Sequence, residues 1–154
     1  MHRMRVLLLH GPNLNIHGKR KPEVYGHTTM KQTNDMVRAR AEVLDCELVV
    51  FQSNHEGDLV DHLHRYLGEC DGVVINPGAL THYGISLREA LEAITVPVVE
   101  VHLSNIHARE EWRRLSVISP VTIGQVIGFG PHGYIAALEL LLAYLADAQR
   151  VERG

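Results

Sequence analysis

Apolar residues follow two rhythms along this chain. Short runs rich in Val, Ile and Leu recur at Val6 to Leu9, Leu48 to Phe51, Val73 to Ile75, Val98 to Val101 and Ile123 to Ile127, each bounded by Gly, Pro, Asn or Ser. Runs of this length between turn residues predict five buried strands. Between them the apolar spacing lengthens to every third or fourth residue. Met30, Thr33, Val37, Ala41 and Leu44 form one such series, and Leu59, Val60, Leu63, Tyr66 and Leu67 the next; both predict helices with one apolar face. Ser86 to Ile94 predicts a shorter helix ended by Pro97. A last helix, Tyr134 to Ala146, is apolar nearly all round, with Glu139 its one charge. Its 13 residues fall short of the roughly 20 that span a bilayer, so it is read either as core on one side and subunit interface on the other, or simply as core. The tail from Arg150 to Gly154 reads as frayed.

Strand and helix alternate, which favours a parallel sheet because parallel strands need crossover connections. The expected fold is therefore α/β: a doubly wound, five-stranded, flavodoxin-like sheet of order 2-1-3-4-5 with helices on both faces. Its 154 residues suit a single domain over 1–154 with an adequate core of its own. A formal charge of −3 speaks against a nucleic-acid partner. Cys46 and Cys70 each adjoin apolar runs, without metal or redox spacing, and suit a reducing compartment. The first apolar run is too short for a signal-peptide core, so the expected location is the cytoplasm, without membrane insertion. The 11 histidines are the one excess, and they invite either a metal or a proton-transfer reading.

In an open parallel sheet a ligand binds beyond the carboxyl ends of the strands, where strand order reverses. The first strand is followed by His10 to Gly26, seventeen residues with neither periodicity, where about two to six would be ordinary. Such a segment reads as a lid, at about 18–27. The third strand runs into Asn76-Pro77-Gly78-Ala79-Leu80-Thr81-His82. The fourth carries Glu100 and His102, which share a face at i,i+2, and leads into Leu103, Ser104, Arg109 and Arg113. Tyr, His, Asn, Ser and Arg with few carboxylates suit a small oxygen-rich anion better than a divalent cation. Taken alone, Arg109 and Arg113 at i,i+4 on a short helix read as a solvated face, and Asn13 and Asn76 as turn caps. Placed at strand ends, the arginines are suited to clamping a carboxylate or hydroxyls. Tyr25, five residues from Arg20, is a phenol whose ionised form a guanidinium favours.

Two patterns compete with this site. Gly128-Phe129-Gly130-Pro131-His132-Gly133 matches G-x-G-x-x-G between a strand and a helix, so a flavodoxin-like nucleotide or flavin module is the alternative function. The genuine fingerprint needs a further strand ending in an acidic residue, and here the chain ends first. Pro131 then reads as the first helical residue after a tight turn. His10, His82 and His102 at strand ends make a zinc trio conceivable, whereas His62 and His64 point apart on a helix.

Five segments together carry a resemblance. Gly11-Pro12-Asn13-Leu14-Asn15, Arg20-x-Pro22-x-x-Tyr25-Gly26, Gln52-Ser53-Asn54, Asn76 to His82, and Glu100 to Glu110 closely resemble the type II 3-dehydroquinate dehydratases, in order and over nearly the whole chain. The resemblance implies a flavodoxin-like fold, no metal, no cofactor, and a homo-oligomer, commonly a dodecamer of trimers. It implies anti elimination of water from 3-dehydroquinate through an enolate, in the shikimate pathway or in quinate breakdown. It makes Tyr25 the base, Arg20 its charge partner, His102 the acid oriented by Glu100, and Asn13 the holder of an enolate-stabilising water. Leu103, Ser104, Asn76, His82 and Arg113 would bind substrate, Arg109 would close with the lid, and Glu89 would reach a neighbouring subunit's site. The chain departs from the family pattern at Glu89 (usually Asp), at Lys21 and His17 near the lid, and at Tyr83-Gly84. Its three lysines, Lys19, Lys21 and Lys31, lie off the predicted strands, which argues against the Schiff-base chemistry of the unrelated type I enzymes.

Overall fold

The structure, a computed structural model, describes residues 2–154. Five strands, β1 (Arg5–His10), β2 (Glu47–Gln52), β3 (Gly72–Asn76), β4 (Val98–His102) and β5 (Gly124–Ile127), form one all-parallel sheet in the order 2-1-3-4-5. Five α-helices connect or follow them: α1 (Pro22–Tyr25), α2 (Met30–Val43), α3 (Glu56–Arg65), α4 (Ile85–Ala93) and α5 (His132–Arg153). The flavodoxin-like topology expected from the alternation is the one observed.

Pleating explains how the core divides. Leu7 and Leu9 of β1, with Val73 and Ile75 of β3, pack against Leu59 and Leu63 of α3 and Leu87 and Leu91 of α4. Val6, Leu8 and Val74, alternating with them, meet Val37 of α2 and Ala137, Leu138 and Leu141 of α5 on the other face. A strand covered on both faces has no polar register, which is why the inner strands read as continuous apolar runs. The edge strands differ from expectation: β2 is only half-buried and Gly124 and Gln125 of β5 are exposed, because each lacks a neighbour on one side.

Three further expectations are corrected. The segment from His10 to Gly26 holds a 3-10 turn at Leu14–Ile16 and the single helical turn α1, both too short to leave a periodic signature. Pro22, with its φ preset for helix, opens α1, and Gly26 at φ 78 closes it. The final helix continues past Ala146 to Arg153, so the tail is not frayed up to there. Its last two turns have no apolar stripe to read, yet consist of helix formers with an Asp147–Arg150 ion pair. Pro131 precedes the first helical residue by one place, in helical conformation. Among the described residues no helix is long and apolar enough to cross a membrane.

Register places His10 beside both Gln52 and Asn76, and His102 beside Ile127. The polar ends of the strands therefore share one edge of the sheet. The chain leaves β1 for β2 on one side and β3 on the other, which opens a crevice above β1, β3 and β4.

Candidate active site

At the end of β1 the chain turns against β3 so closely that a Cβ on Gly11 would lie 2.1 Å from the Pro77 carbonyl oxygen. The Gly11 amide donates to the Asn76 carbonyl (2.8 Å), and its own carbonyl accepts from Gln52 Nε2 (3.2 Å). Asn13 follows at φ 68, a left-handed conformation that asparagine tolerates. Its amide donates to Asn54 Oδ1 (2.9 Å), which also accepts from Gln52 Nε2 (3.1 Å). Gln52 and Asn54, at the end of β2, thus fix the turn that presents Asn13.

His102 and Glu100 meet as their i,i+2 spacing requires. Nε2 of His102 lies 2.5 Å from Oε2 of Glu100, and Glu100 is wholly buried. The Ser116 hydroxyl donates to both carboxylate oxygens (2.9 and 3.1 Å), and Gln125 Nε2 donates to Oε2 (3.0 Å). Three donors converging on one carboxylate give the compensation a buried charge requires. With Nε2 engaged by Glu100, Nδ1 is the nitrogen left for the cavity that His102 lines.

The segment between β1 and α2 brings Tyr25 to the same cavity. The Arg20 guanidinium sits 4.8 Å from the phenol ring centroid and that of Arg109 5.1 Å. Arg109 Nη1 donates to the Tyr25 hydroxyl (3.0 Å) and to Ser104 Oγ (3.2 Å). His17 stacks on the phenol, with centroids 5.4 Å apart and planes at 22°. Arg109 and Arg113 do not share a helix, contrary to expectation; Arg109 follows one 3-10 turn (Ile106–Ala108) and Arg113 lies in the next (Glu111–Arg114). Arg113 lies over the Trp112 ring (4.1 Å) and donates from Nε to Glu110 (2.5 Å), which holds the Glu110 carboxyl below its ordinary range.

His82 is oriented by Nδ1 donating to the Leu115 carbonyl (2.7 Å). Asn76 is buried and tied at both ends of its amide. Its Nδ2 donates to the Tyr134 hydroxyl (2.8 Å), and its Oδ1 accepts from the Gly78 amide (3.1 Å). Tyr134 is fully buried, which pushes its phenol upward. His10 meets Tyr134 edge-on at 5.3 Å and pairs through Nε2 with Asn34 Oδ1 (2.8 Å). Burial pushes the His10 imidazole down to about 4, so it stands neutral behind the site.

Asn13, Arg20, Tyr25, Asn76, His82, His102, Leu103, Ser104, Arg109 and Arg113 all line one cavity at the strand ends. Glu100 stands behind His102. Glu89 is exposed on α4 and does not line this cavity. His107 is exposed as well. Sequence reasoning missed Ser116, Gln125, Tyr134 and His17. Gln125, a lone polar residue in the apolar run from Ile123 to Ile127, was the one signal that pointed to a buried partner.

The competing patterns resolve on the same geometry. Gly128 and Gly130 donate their amides to the carbonyls of His102 and Leu103 (both 3.0 Å), and the Gly133 amide to that of Gly130 (3.1 Å). These amides anchor the turn to β4 and are not turned toward a phosphate. Among the described residues no group of three or more His, Cys, Asp or Glu is placed to hold a metal ion, so His10, His82 and His102 do not form a trio. His62 is buried and His64 exposed, on opposite sides of α3.

The family model for dehydroquinase class II matches residues 4–142. Curated 3-dehydroquinate dehydratases from Halothermothrix orenii and Ruegeria pomeroyi are both 51% identical to the chain, covering 90% and 92% of it and 93% and 95% of themselves. The crystal structure of type II dehydroquinase from Butyrivibrio crossotus superimposes with a TM-score of 0.88 at 40% identity, covering 90% of this chain and 97% of its own. With its topology, its strand-end cavity and these matches in agreement, the chain belongs to the class II dehydroquinase family.

Proposed function

We propose that this chain is a 3-dehydroquinate dehydratase that removes water by anti elimination through an enolate, with its own side chains as base, acid and charge stabiliser. Tyr25, as phenolate, takes the C2 proton next to the C3 ketone, and the electron pair moves onto the ketone oxygen. Arg20 and Arg109 stand against the Tyr25 ring, and Arg109 donates to its hydroxyl oxygen. Asn13 holds a water that donates to the enolate oxygen, placing a dipole where negative charge develops. As the enolate collapses, the C1–O bond breaks and His102 delivers a proton to the departing hydroxyl, so that water leaves and the ring gains one double bond. Glu100 holds the imidazole in place throughout. The substrate carboxylate meets Leu103, Ser104 and their amides, and the ring hydroxyls meet Asn76, His82 and Arg113. The sequence 18–27 acts as the lid, closing through the Arg109–Tyr25 contact and excluding water from the enolate.

The observation that carries this reading is a phenol held among two guanidiniums in the cavity that also receives an imidazole backed by a buried carboxylate. So written, each proton and electron pair passes between substrate and side chains, with neither metal nor cofactor drawn upon. Glu89 is assigned to the cavity of a second copy, which agrees with its exposure outside its own. Phe129 and Leu140, exposed by 72% and 58%, give an apolar face for such an assembly, with a dodecamer of trimers its proposed form. The buried, unpaired Cys46 and Cys70 suit a cytoplasmic setting. The same chemistry serves the shikimate pathway and quinate breakdown.

Substrate labelled stereospecifically with deuterium at C2 tests the mechanism. Anti elimination discharges the deuterium that lies trans to the C1 hydroxyl and retains it in the cis position; retention of the trans label overturns the proposal.

A further inference from the structure

His17 lies in none of the roles above, yet only 6% of it is exposed and it lines the same cavity as Tyr25 and His102. Its imidazole stacks on the phenol of Tyr25 with planes at 22° and centroids 5.4 Å apart. Its Nε2 is buried without a hydrogen-bond partner. Such an atom costs stability, and an unpaired buried polar group that persists in a cavity calls for an explanation other than folding. The backbone on either side holds His17 in place. Its amide donates to Leu14 (3.3 Å), and Gly18 follows at φ 92, packed so that a Cβ there would lie 2.9 Å from the His27 carbonyl oxygen.

Tyr25 otherwise has guanidiniums as its neighbours, from Arg20 and Arg109, which are held by long flexible stems. We propose that His17 is a positioning residue for Tyr25, whose imidazole face holds the phenol ring at the angle from which its oxygen reaches the substrate. Burial first, and Arg20 second, push the His17 imidazole down to about 4, so at neutral pH it packs on the phenol without adding a third positive charge. An aliphatic side chain fills the same volume and lacks the face. Misplacing a reacting group by about 1 Å costs up to about 10²-fold in rate.

The inference rests on Tyr25 being the base, and its test separates the two. His17→Leu and His17→Phe are compared with the wild type for kcat and KM on 3-dehydroquinate, for melting temperature, and for the ring signals of Tyr25 in protein labelled with ¹³C-tyrosine, assigned through Tyr25→Phe. His17→Leu removes the unpaired nitrogen, so its melting temperature equals or exceeds that of the wild type while kcat falls about tenfold, within the range that misplacement allows. His17→Phe restores the flat face and recovers most of the lost kcat. The Tyr25 ring signals shift in the Leu variant and return toward wild type in the Phe variant, a readout independent of turnover. A Leu variant with wild-type kcat and unmoved Tyr25 signals overturns the inference, as does a Phe variant no better than Leu. Tyr25 signals that move as expected in a protein without turnover on 3-dehydroquinate would overturn the assigned activity and leave the positioning contact standing.

Discussion

Replacing Glu100 by Gln changes one atom and disturbs every contact the carboxylate makes. Its four hydrogen bonds come from three donors: His102 Nε2 and Gln125 Nε2 on Oε2, and the Ser116 hydroxyl on both oxygens. A glutamine has one acceptor oxygen. If that oxygen takes the Oε2 position, the new NH₂ faces Ser116 Oγ, which already accepts from the amides of Ile118 (3.2 Å) and Ser119 (2.9 Å). If the amide is reversed, the NH₂ faces His102 and Gln125, and His102 must present a bare nitrogen to it. The proton then resides on Nδ1 with no negative charge behind the ring. Either arrangement leaves a buried polar group unsatisfied, at a cost of about 1–3 kcal/mol in folding stability. Loss of a well-placed general acid lowers turnover by about 10²–10⁴-fold, and because the acid acts only once the enolate has formed, kcat and kcat/KM fall together. Urea unfolding gives the first quantity, and steady-state appearance of the conjugated enone by ultraviolet absorbance the second. A Glu100→Gln variant of wild-type stability and near wild-type kcat would refute both the hydrogen-bond accounting and the role given to His102.

Four other outcomes follow from the same geometry. Tyr25→Phe removes the oxygen that accepts from Arg109 and leaves the ring stack intact, so turnover falls by at least about 10²-fold while an unreactive substrate analogue still binds by calorimetry; unchanged turnover removes Tyr25 as the base. Ser116→Ala takes one donor from Glu100 and the acceptor from two amides, and lowers both stability and kcat by less than Glu100→Gln; a larger loss of kcat contradicts the order. Gly11→Ala drives a Cβ into the Pro77 carbonyl and destabilises the fold by more than about 3 kcal/mol, visible as a lost or strongly lowered melting transition. Acid weakens the fold through His10. The folded protein holds this imidazole neutral down to about 4, whereas the unfolded chain takes up its proton near 6.5, so its contribution is full above that value and drains as pH falls toward 4. At about 1.4 kcal/mol per unit the loss approaches about 3.5 kcal/mol at its limit. Urea midpoints measured between pH 7 and 4.5 report it, and a stability that rises on acidification refutes it.

The fold was legible because each inner strand is buried on both faces and each helix on one, so the two periods appear directly in the sequence. The cavity was legible because its polar groups follow strands at one end of a parallel sheet, and the sequence spacing of Glu100 and His102 already put them on one face. The rest depended on contacts between distant segments. Asn76 shares its amide with Tyr134, 58 positions away, and Glu100 takes donors from Ser116 and Gln125, 16 and 25 positions away. No local pattern encodes such pairs. The excess of histidine was a poor guide for the same reason. His102 and His82 stand in the cavity and His10 behind it. His62 packs between Phe51 and Tyr66, and His17, without an assigned role in the sequence, proves to lie against the proposed base.

The proposed dehydration of 3-dehydroquinate by these side chains unaided is open to one direct test. Purified protein, treated with chelator and dialysed, is mixed with 3-dehydroquinate and the ultraviolet absorbance of the conjugated enone is followed, with His102→Ala in parallel. Undiminished formation of 3-dehydroshikimate by the treated protein, and its near loss in the variant, is the expected result; folded protein that forms no enone, or forms it only when metal is returned, contradicts the claim.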